Sequence, residues 1–429
     1  MTKRIFLCTL LVTSLASAQM FTGRFTTSAY GWQGRKDSVT KQTYMRGYEN
    51  VQLSLAGQRF GVYTNFQVAN DFGTVINTDP ELKLNQLIVR ANNIAGAADI
   101  SLGRQFVFAG VGNGLIDGGL AKAALWDRRV GVTVYGGYNV VQSRDIRLSK
   151  SFADNSLYGA QVTVTPVENG LVGISYMNRT RKPEPFSAIR PSTADSLFNP
   201  MVVIIAHSPQ EEQYTSLDAR YSFDERAEVS GRVDYDMDYE RVSRVQGLTR
   251  IVVTSALTAS AEYLFREPRI AYNSIFSVFN TNSTQEIEGG VEYEFTPVLK
   301  TYARYAHVEY TDESSGRLNI GGQYEFVNVA YTQNFGYAGE LNGISVQAAY
   351  PVMEQKLIPS IGVGYAGYKL DKDGPSNNVL SSSLGATYRP MPALSADLQF
   401  QYMSNNLYKN DARVFLKLTY WMNRQMGWF

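Results

Sequence analysis

The chain reads as all-β: a transmembrane antiparallel up-and-down β-barrel of about 18 to 22 strands in a single domain. Three observations lead there. From near residue 22 to the C-terminus, segments of about ten residues alternate apolar and polar side chains, the period of a strand. The apolar set is bulky and aromatic while the opposite set is charged, as in Ile287, Val291, Tyr293 and Phe295 against Glu286, Glu288, Glu292 and Glu294. A soluble barrel would fill its interior with the apolar set, so this pattern is inside out, apolar toward lipid and polar toward a wet lumen. The N-terminus carries Lys3 and Arg4, an apolar run Ile5 to Leu15, and Ala16-Ser17-Ala18 before Gln19. That is the layout of a secretory signal peptide cleaved after Ala18, too short to span a bilayer as a helix.

Composition agrees. Without Lys3 and Arg4 the chain has 38 basic residues against 39 acidic, a near-neutral balance that offers nucleic acid nothing. A mean hydropathy of −0.21 suits a barrel whose lumen and loops dilute the lipid face. The 28 tyrosines fit interfacial girdles and strands alike. Cys8 is the only cysteine and lies inside the signal run, so the mature chain lacks disulfides, thiolate metal sites and covalent haem.

In order, strands are expected near 22–33, 45–57, 59–71, 82–92, 98–107, 130–140, 155–166, 170–181, 212–223, 227–239, 243–254, 257–267, 284–296 and 299–310. The C-terminal set is 317–335 (two strands about a tight turn), 341–350, 356–370, 379–389, 393–404 and 411–422. Residues 120–127 add a short one. Thr165-Pro166, Thr296-Pro297, Tyr350-Pro351 and Arg389-Pro390 mark strand ends at short periplasmic turns, because proline cannot donate to a ladder. The longer connections 141–154, 182–211, 268–283, 311–316, 371–378 and 404–410 read as outside loops. Loop 182–211, rich in proline, either caps the mouth or packs loosely on the surface. The terminal Phe429 is similar to the recognition signal of bacterial outer-membrane barrels.

The lumen face is expected to carry Asp218, Arg220, Arg232, Asp234, Arg250, Glu262, Glu286, Glu288, Glu292 and Glu294, with Arg244, Gln246 and Arg266 beside them. Mixed charge in a water-filled pore sets up a transverse field that orients polar solutes and weights ions by sign. The four glutamates form an acidic stripe that either recruits cations or only braces the wall, with Arg250 and Arg266 as neutralising neighbours. A second candidate is the glycine-rich stretch Gly110 to Gly119, read as a loop that folds inward and narrows the pore, with Arg104 and Asp117 as constriction residues; an ordinary external loop is the alternative. Gly103-Arg104-Gln105 followed by Asp117-Gly118 resembles a segment of porin-like channel and exporter barrels of bacteria, and the resemblance implies a channel family without a solute.

His207 and His307 stand in no ligand-spaced pattern, and His207-Ser208 sits in the proline-rich loop, so no cofactor, metal or catalytic constellation is expected. The expected role is an outer-membrane porin for passive diffusion of small hydrophilic solutes or ions. The expected partners are outer-membrane lipid, those solutes, and a homo-oligomer or a protein in the lumen. The alternatives are a sheath for an electron-transfer cytochrome and a non-conducting structural or adhesive barrel. An energy-coupled transporter is disfavoured, since no plug of about 130 residues precedes the first strand.

Overall fold

The computed structural model describes residues 18–35, 41–73, 80–140, 144, 146, 151–183, 185–191, 200–224, 226–268, 283–311, 313–336, 340–369, 374–406 and 409–425. The expected signal segment before Ala18, parts of the long loops, and Phe429 lie outside them. The elements are β1 (Ala18–Arg35), β2 (Lys41–Gly57), β3 (Phe60–Asp71), β4 (Glu81–Ile94), β5 (Ala98–Ala109), β6 (Gly112–Leu125), β7 (Val130–Asn139), β8 (Asn155–Val164) and β9 (Gly170–Arg181). A short pair, β10 (Phe186–Pro191) and β11 (Pro200–Ile205), follows. Then come β12 (Gln210–Phe223), β13 (Ala227–Asp236), β14 (Arg241–Val252), β15 (Leu257–Arg266), β16 (Thr284–Thr296), β17 (Leu299–Glu309) and β18 (Ser314–Tyr324). The last are β19 (Val327–Gly336), β20 (Leu341–Ala349), β21 (Leu357–Tyr368), β22 (Asn377–Met391), β23 (Leu394–Asn405) and β24 (Asp411–Gln425).

Twenty-two strands form one antiparallel sheet, and β1 pairs with β24 from Met20↔Gln425 to Trp32↔Arg413. That pairing closes the sheet, so no edge is left to be satisfied in hydrocarbon. Strand β9 pairs directly with β12, and β10–β11 stands apart as its own ribbon inside the long proline-rich connection. The count of 22 is the top of the expected range. At about 4.8 Å between strands and a tilt near 40°, the backbone cylinder is about 40 Å across.

The inside-out alternation holds. Leu217, Val229, Val233, Ile287, Val291, Tyr293 and Phe295 are exposed on the outer surface, where lipid would cover them. Aromatic residues collect in two outer bands. Tyr221, Phe223, Tyr293, Phe295, Tyr324, Phe326, Tyr350 and Tyr388 ring the short-turn end, and Tyr158, Tyr235, Tyr263, Tyr305 and Tyr365 ring the other. Amphipathic rings settle where hydrocarbon meets headgroups, so the bands mark the two interfaces. His307 lies just beyond Tyr305, a rim position, as its spacing suggests.

Three assignments differ from the sequence reading, and the short strand expected at 120–127 is the end of β6 rather than a strand of its own. The stretch expected as a glycine-rich loop is mostly strand: β6 begins at Gly112 and pairs with β5 from Ala109↔Gly112 to Ala98↔Ala123. The Arg389-Pro390 strand end moves to Met391, because β22 continues past the proline through a bulge, where a missing donor costs nothing.

Candidate functional site: the lumen wall and an inward hairpin

The lumen-facing charges fall into rows set by the strand register, since directly opposed residues share a face. Asp218 opposes Arg232, and Arg232 opposes Gln246. Glu228 opposes Arg250, Asp234 opposes Arg244, and Arg244 opposes Arg266. Glu262 stands opposite Glu288 across β15–β16. Ion pairs bind these rows: Arg220 Nε to Glu228 Oε1 at 2.9 Å and Arg232 Nε to Asp234 Oδ1 at 2.7 Å. Gln246 Nε2 donates to Glu262 Oε1 at 2.6 Å, and Arg244 donates to Gln246 Oε1.

The four glutamates of the acidic stripe share the face of β16 opposite the exposed Ile287, Val291, Tyr293 and Phe295, and their cationic partners come from β17 and β18 rather than from β14 and β15. Arg317 Nη2 reaches Glu288 Oε2 at 3.0 Å and also pairs with Glu286. Arg304 Nη2 holds Glu292 Oε1 at 2.7 Å, and Lys300 Nζ holds Glu294 Oε2 at 3.0 Å. The expected neighbours Arg250 and Arg266 instead oppose Ser260 and Thr284 across the ladders toward the stripe. Lys300, Arg304 and Arg317 escaped the sequence reading because cross-strand pairing is not local. The stripe is thus four carboxylates met by three cations, close to balanced.

The second candidate is more than a loop. Strands β4 and β5 pair only up to Leu87↔Arg104, and β6 and β7 only up to Ile116↔Asn139. Beyond those points the β5–β6 hairpin leaves the wall and lies down across the inner faces of β7, β8, β9, β12 and β13. Its tip is held by three contacts to β9 and β13. The Val111 N–H donates to Ser175 Oγ at 2.9 Å, and Arg232 Nη2 donates to the Gly110 carbonyl at 3.3 Å. Arg179 Nη2 donates to the Asn113 carbonyl. Ser175 and Ser216 share a 2.7 Å hydroxyl hydrogen bond beneath the tip. The reach is consistent: Gly103 to Gly110 is about 23 Å of strand at about 3.3 Å per residue, the width of five strands at about 4.8 Å.

One hairpin face, Val107, Ala109 and Ile116, packs on the inward-pointing Tyr135, Leu157 and Met177 of the wall, and all six are buried. This is the one buried apolar cluster among the described residues. Burial of these side chains, worth about 1.5–3 kcal/mol each for the larger ones, holds the hairpin down. Glycines make the fold possible rather than forming a turn. Gly103 has φ +119°, and a Cβ there would sit 2.0 Å from the Leu87 carbonyl. A Cβ on Gly118 would sit 2.1 Å from the Gly136 carbonyl oxygen and 2.5 Å from Gly137 Cα.

Arg104 and Asp117 face each other across β5–β6 at the point of departure. Arg104 Nε and Nη2 donate to the two Asp117 oxygens at 2.7 Å each, and Nη1 donates to the carbonyls of Leu84 and Arg144 at 3.1 Å. The Leu84 N–H in turn donates to the Arg144 carbonyl at 3.0 Å, and Arg144 Nη1 donates to Asn85 Oδ1 at 2.8 Å. Arg144 therefore stands where the departing strand would have been, and Arg104 ties both sides of the seam. The pair is a hinge clamp in the wall rather than a pair carried on a loop, which corrects the sequence expectation. The local signal that could have revealed the hairpin is the apolar content of the wrong face: Tyr135, Leu157 and Met177 occupy lumen positions.

No protein-family model matches this sequence, and no curated protein matches it. Solved structures do resemble the fold. A mutant of the ferric enterobactin receptor PfeA from Pseudomonas aeruginosa is 9% identical, with 94% of this chain and 81% of that one covered and a TM-score of 0.57. OccAB4 from Acinetobacter baumannii is 8% identical, covering 96% and 100% with a TM-score of 0.40. The outer membrane protein OpdK from Pseudomonas aeruginosa is 8% identical, covering 94% and 99% with a TM-score of 0.42. At such identities the likeness is one of fold alone: the chain is an antiparallel up-and-down β-barrel closed at 22 strands.

Proposed function

We propose that this protein is an outer-membrane channel that passes small hydrophilic solutes or ions passively, with the β5–β6 hairpin narrowing one side of its bore. In this reading residues 1–18 are a signal peptide and the mature chain begins at Gln19. The observation that carries the proposal is the hairpin's position. A sheet layer about 10 Å thick lies inside a cylinder about 40 Å across, on one wall, leaving the side lined by β16 to β24 open. That open side carries Arg317, Asn319, Gln323, Thr332, Ser345, Gln347, Ser381, Ser383, Gln399 and Gln401, a polar and wettable lining. Asp218, Arg220, Arg232 and Asp234 lie on the strands that the hairpin crosses, and Arg250, Glu262 and the Glu286-to-Glu294 stripe lie on β14 to β16, beyond its tip. A cytochrome sheath is less well supported, because the hairpin takes the room a sheathed globular partner would need.

The test is single-channel conductance in planar bilayers. Replacing residues 106–115 with Asn-Gly closes the hairpin at Gln105 and Ile116 and empties the bore. The conductance step should rise well above that of the native protein. Native protein that is silent, or a shortened variant with an unchanged step, would count against the channel.

A further inference from the structure

The hairpin turns its other face to the bore, and that face is aromatic. Phe106 and Phe108 are 38% and 71% exposed, with ring centroids 6.1 Å apart and planes 21° from parallel. Leu115 opposes Phe106 and Asn113 opposes Phe108, so one small patch holds two rings, an aliphatic side chain and an amide. In a flat wall these phenylalanines would face lipid, as Leu102 does on the same strand. The inward fold aims them at water instead. The hairpin cannot roll to hide them, since its opposite face is packed on Tyr135, Leu157 and Met177 and its tip is bonded to Ser175, Arg179 and Arg232.

We propose that Phe106 and Phe108 form a ring-binding subsite for uncharged small solutes that carry an aromatic ring. The inference rests on the channel reading and adds a solute class to it. The patch lies in the proposed conducting path, so what meets it is what travels through. Two stacked phenyl rings offer an apolar surface about one further ring wide, at the spacing of offset stacking. It is far smaller than the roughly 800 Å² per partner that a protein interface needs. The nearby arginines Arg104, Arg179 and Arg232 are engaged with acids or backbone carbonyls, so the patch presents no committed charge. Asn113, exposed beside Phe108, supplies a donor and an acceptor for a polar substituent.

The test compares phenyl β-D-glucopyranoside with methyl β-D-glucopyranoside at millimolar concentration in single-channel recordings. The two share a sugar and differ in the ring. The phenyl compound should give blocking events about tenfold longer than the methyl compound. The Phe106→Ser/Phe108→Ser variant should still open as a channel, since the opposite face of the hairpin stays packed, and should lose that difference between the two glycosides. Equal block by both glycosides, or a difference that survives in the variant, would overturn the subsite. If the native protein does not conduct, the channel reading fails separately, and saturation-transfer NMR in detergent decides the site. Phenyl-proton transfer to native protein that is lost in the variant upholds it, and transfer absent from the native protein or kept in the variant refutes it.

Discussion

Breaking the Arg104–Asp117 clamp should cost more than deleting it. The two side chains are 3% and 11% exposed, and Arg104 uses two donors on the carboxylate and one on the Leu84 and Arg144 carbonyls. In Arg104→Met the Asp117 carboxylate stays buried without its cation, and stranding one partner of a buried pair costs about 3–5 kcal/mol. In Arg104→Met/Asp117→Leu no charge is stranded, and what is lost is the bonding to two carbonyls, about 1 kcal/mol each. The double variant should therefore be more stable than the single one by about 1–3 kcal/mol. Urea unfolding in lipid vesicles, followed by tryptophan fluorescence, reads this directly. The single variant should also show noisier open-channel current, because the hairpin pivots at this point. If the single variant proves as stable as the double, the pair is not a buried clamp and the hinge is held by the glycine packing alone.

Other consequences follow from the same geometry. Replacing Glu286, Glu288, Glu292 and Glu294 by Gln leaves Lys300, Arg304 and Arg317 without counter-charges, so reversal potential across a tenfold salt gradient should shift toward anion preference; an unchanged potential would mean the stripe lies off the conducting path. Gly118→Val places a side chain against the Gly136–Gly137 backbone and should abolish the heat-modifiable band of folded barrel on a denaturing gel. Leu217→Arg, on the outer face, should destabilise by about 2 kcal/mol in vesicle unfolding, while Asp218→Asn, its inward neighbour, should cost under about 1 kcal/mol. Mass spectrometry of protein recovered from outer membranes should find Gln19, or its cyclised form, at the N-terminus.

Much of the wall was legible one strand at a time. The period of two is a property of neighbouring residues, so Leu217 against Asp218 and Ile287 against Glu288 declare which face meets lipid without reference to any partner strand. The split of 317–335 into β18 and β19, and the placement of the glutamate stripe, follow from the same local rule. Pairing does not. That Arg317 reaches Glu286 and Glu288 depends on β17 lying between their strands in one particular register, which only the closed sheet settles. The hairpin is the sharpest case. Residues 104–117 keep a strand's alternation whether they stand in the wall or lie inside it, and alternation alone would put Phe106 and Phe108 on the face of Leu102. Their true direction is decided about 30 to 70 residues further along the chain, where Tyr135, Leu157 and Met177 place an apolar patch on the lumen face, while Gly103, Gly118 and Gly137 leave room for the bend. Local periodicity sets the faces of each strand; burial shared between distant strands sets where the strand goes.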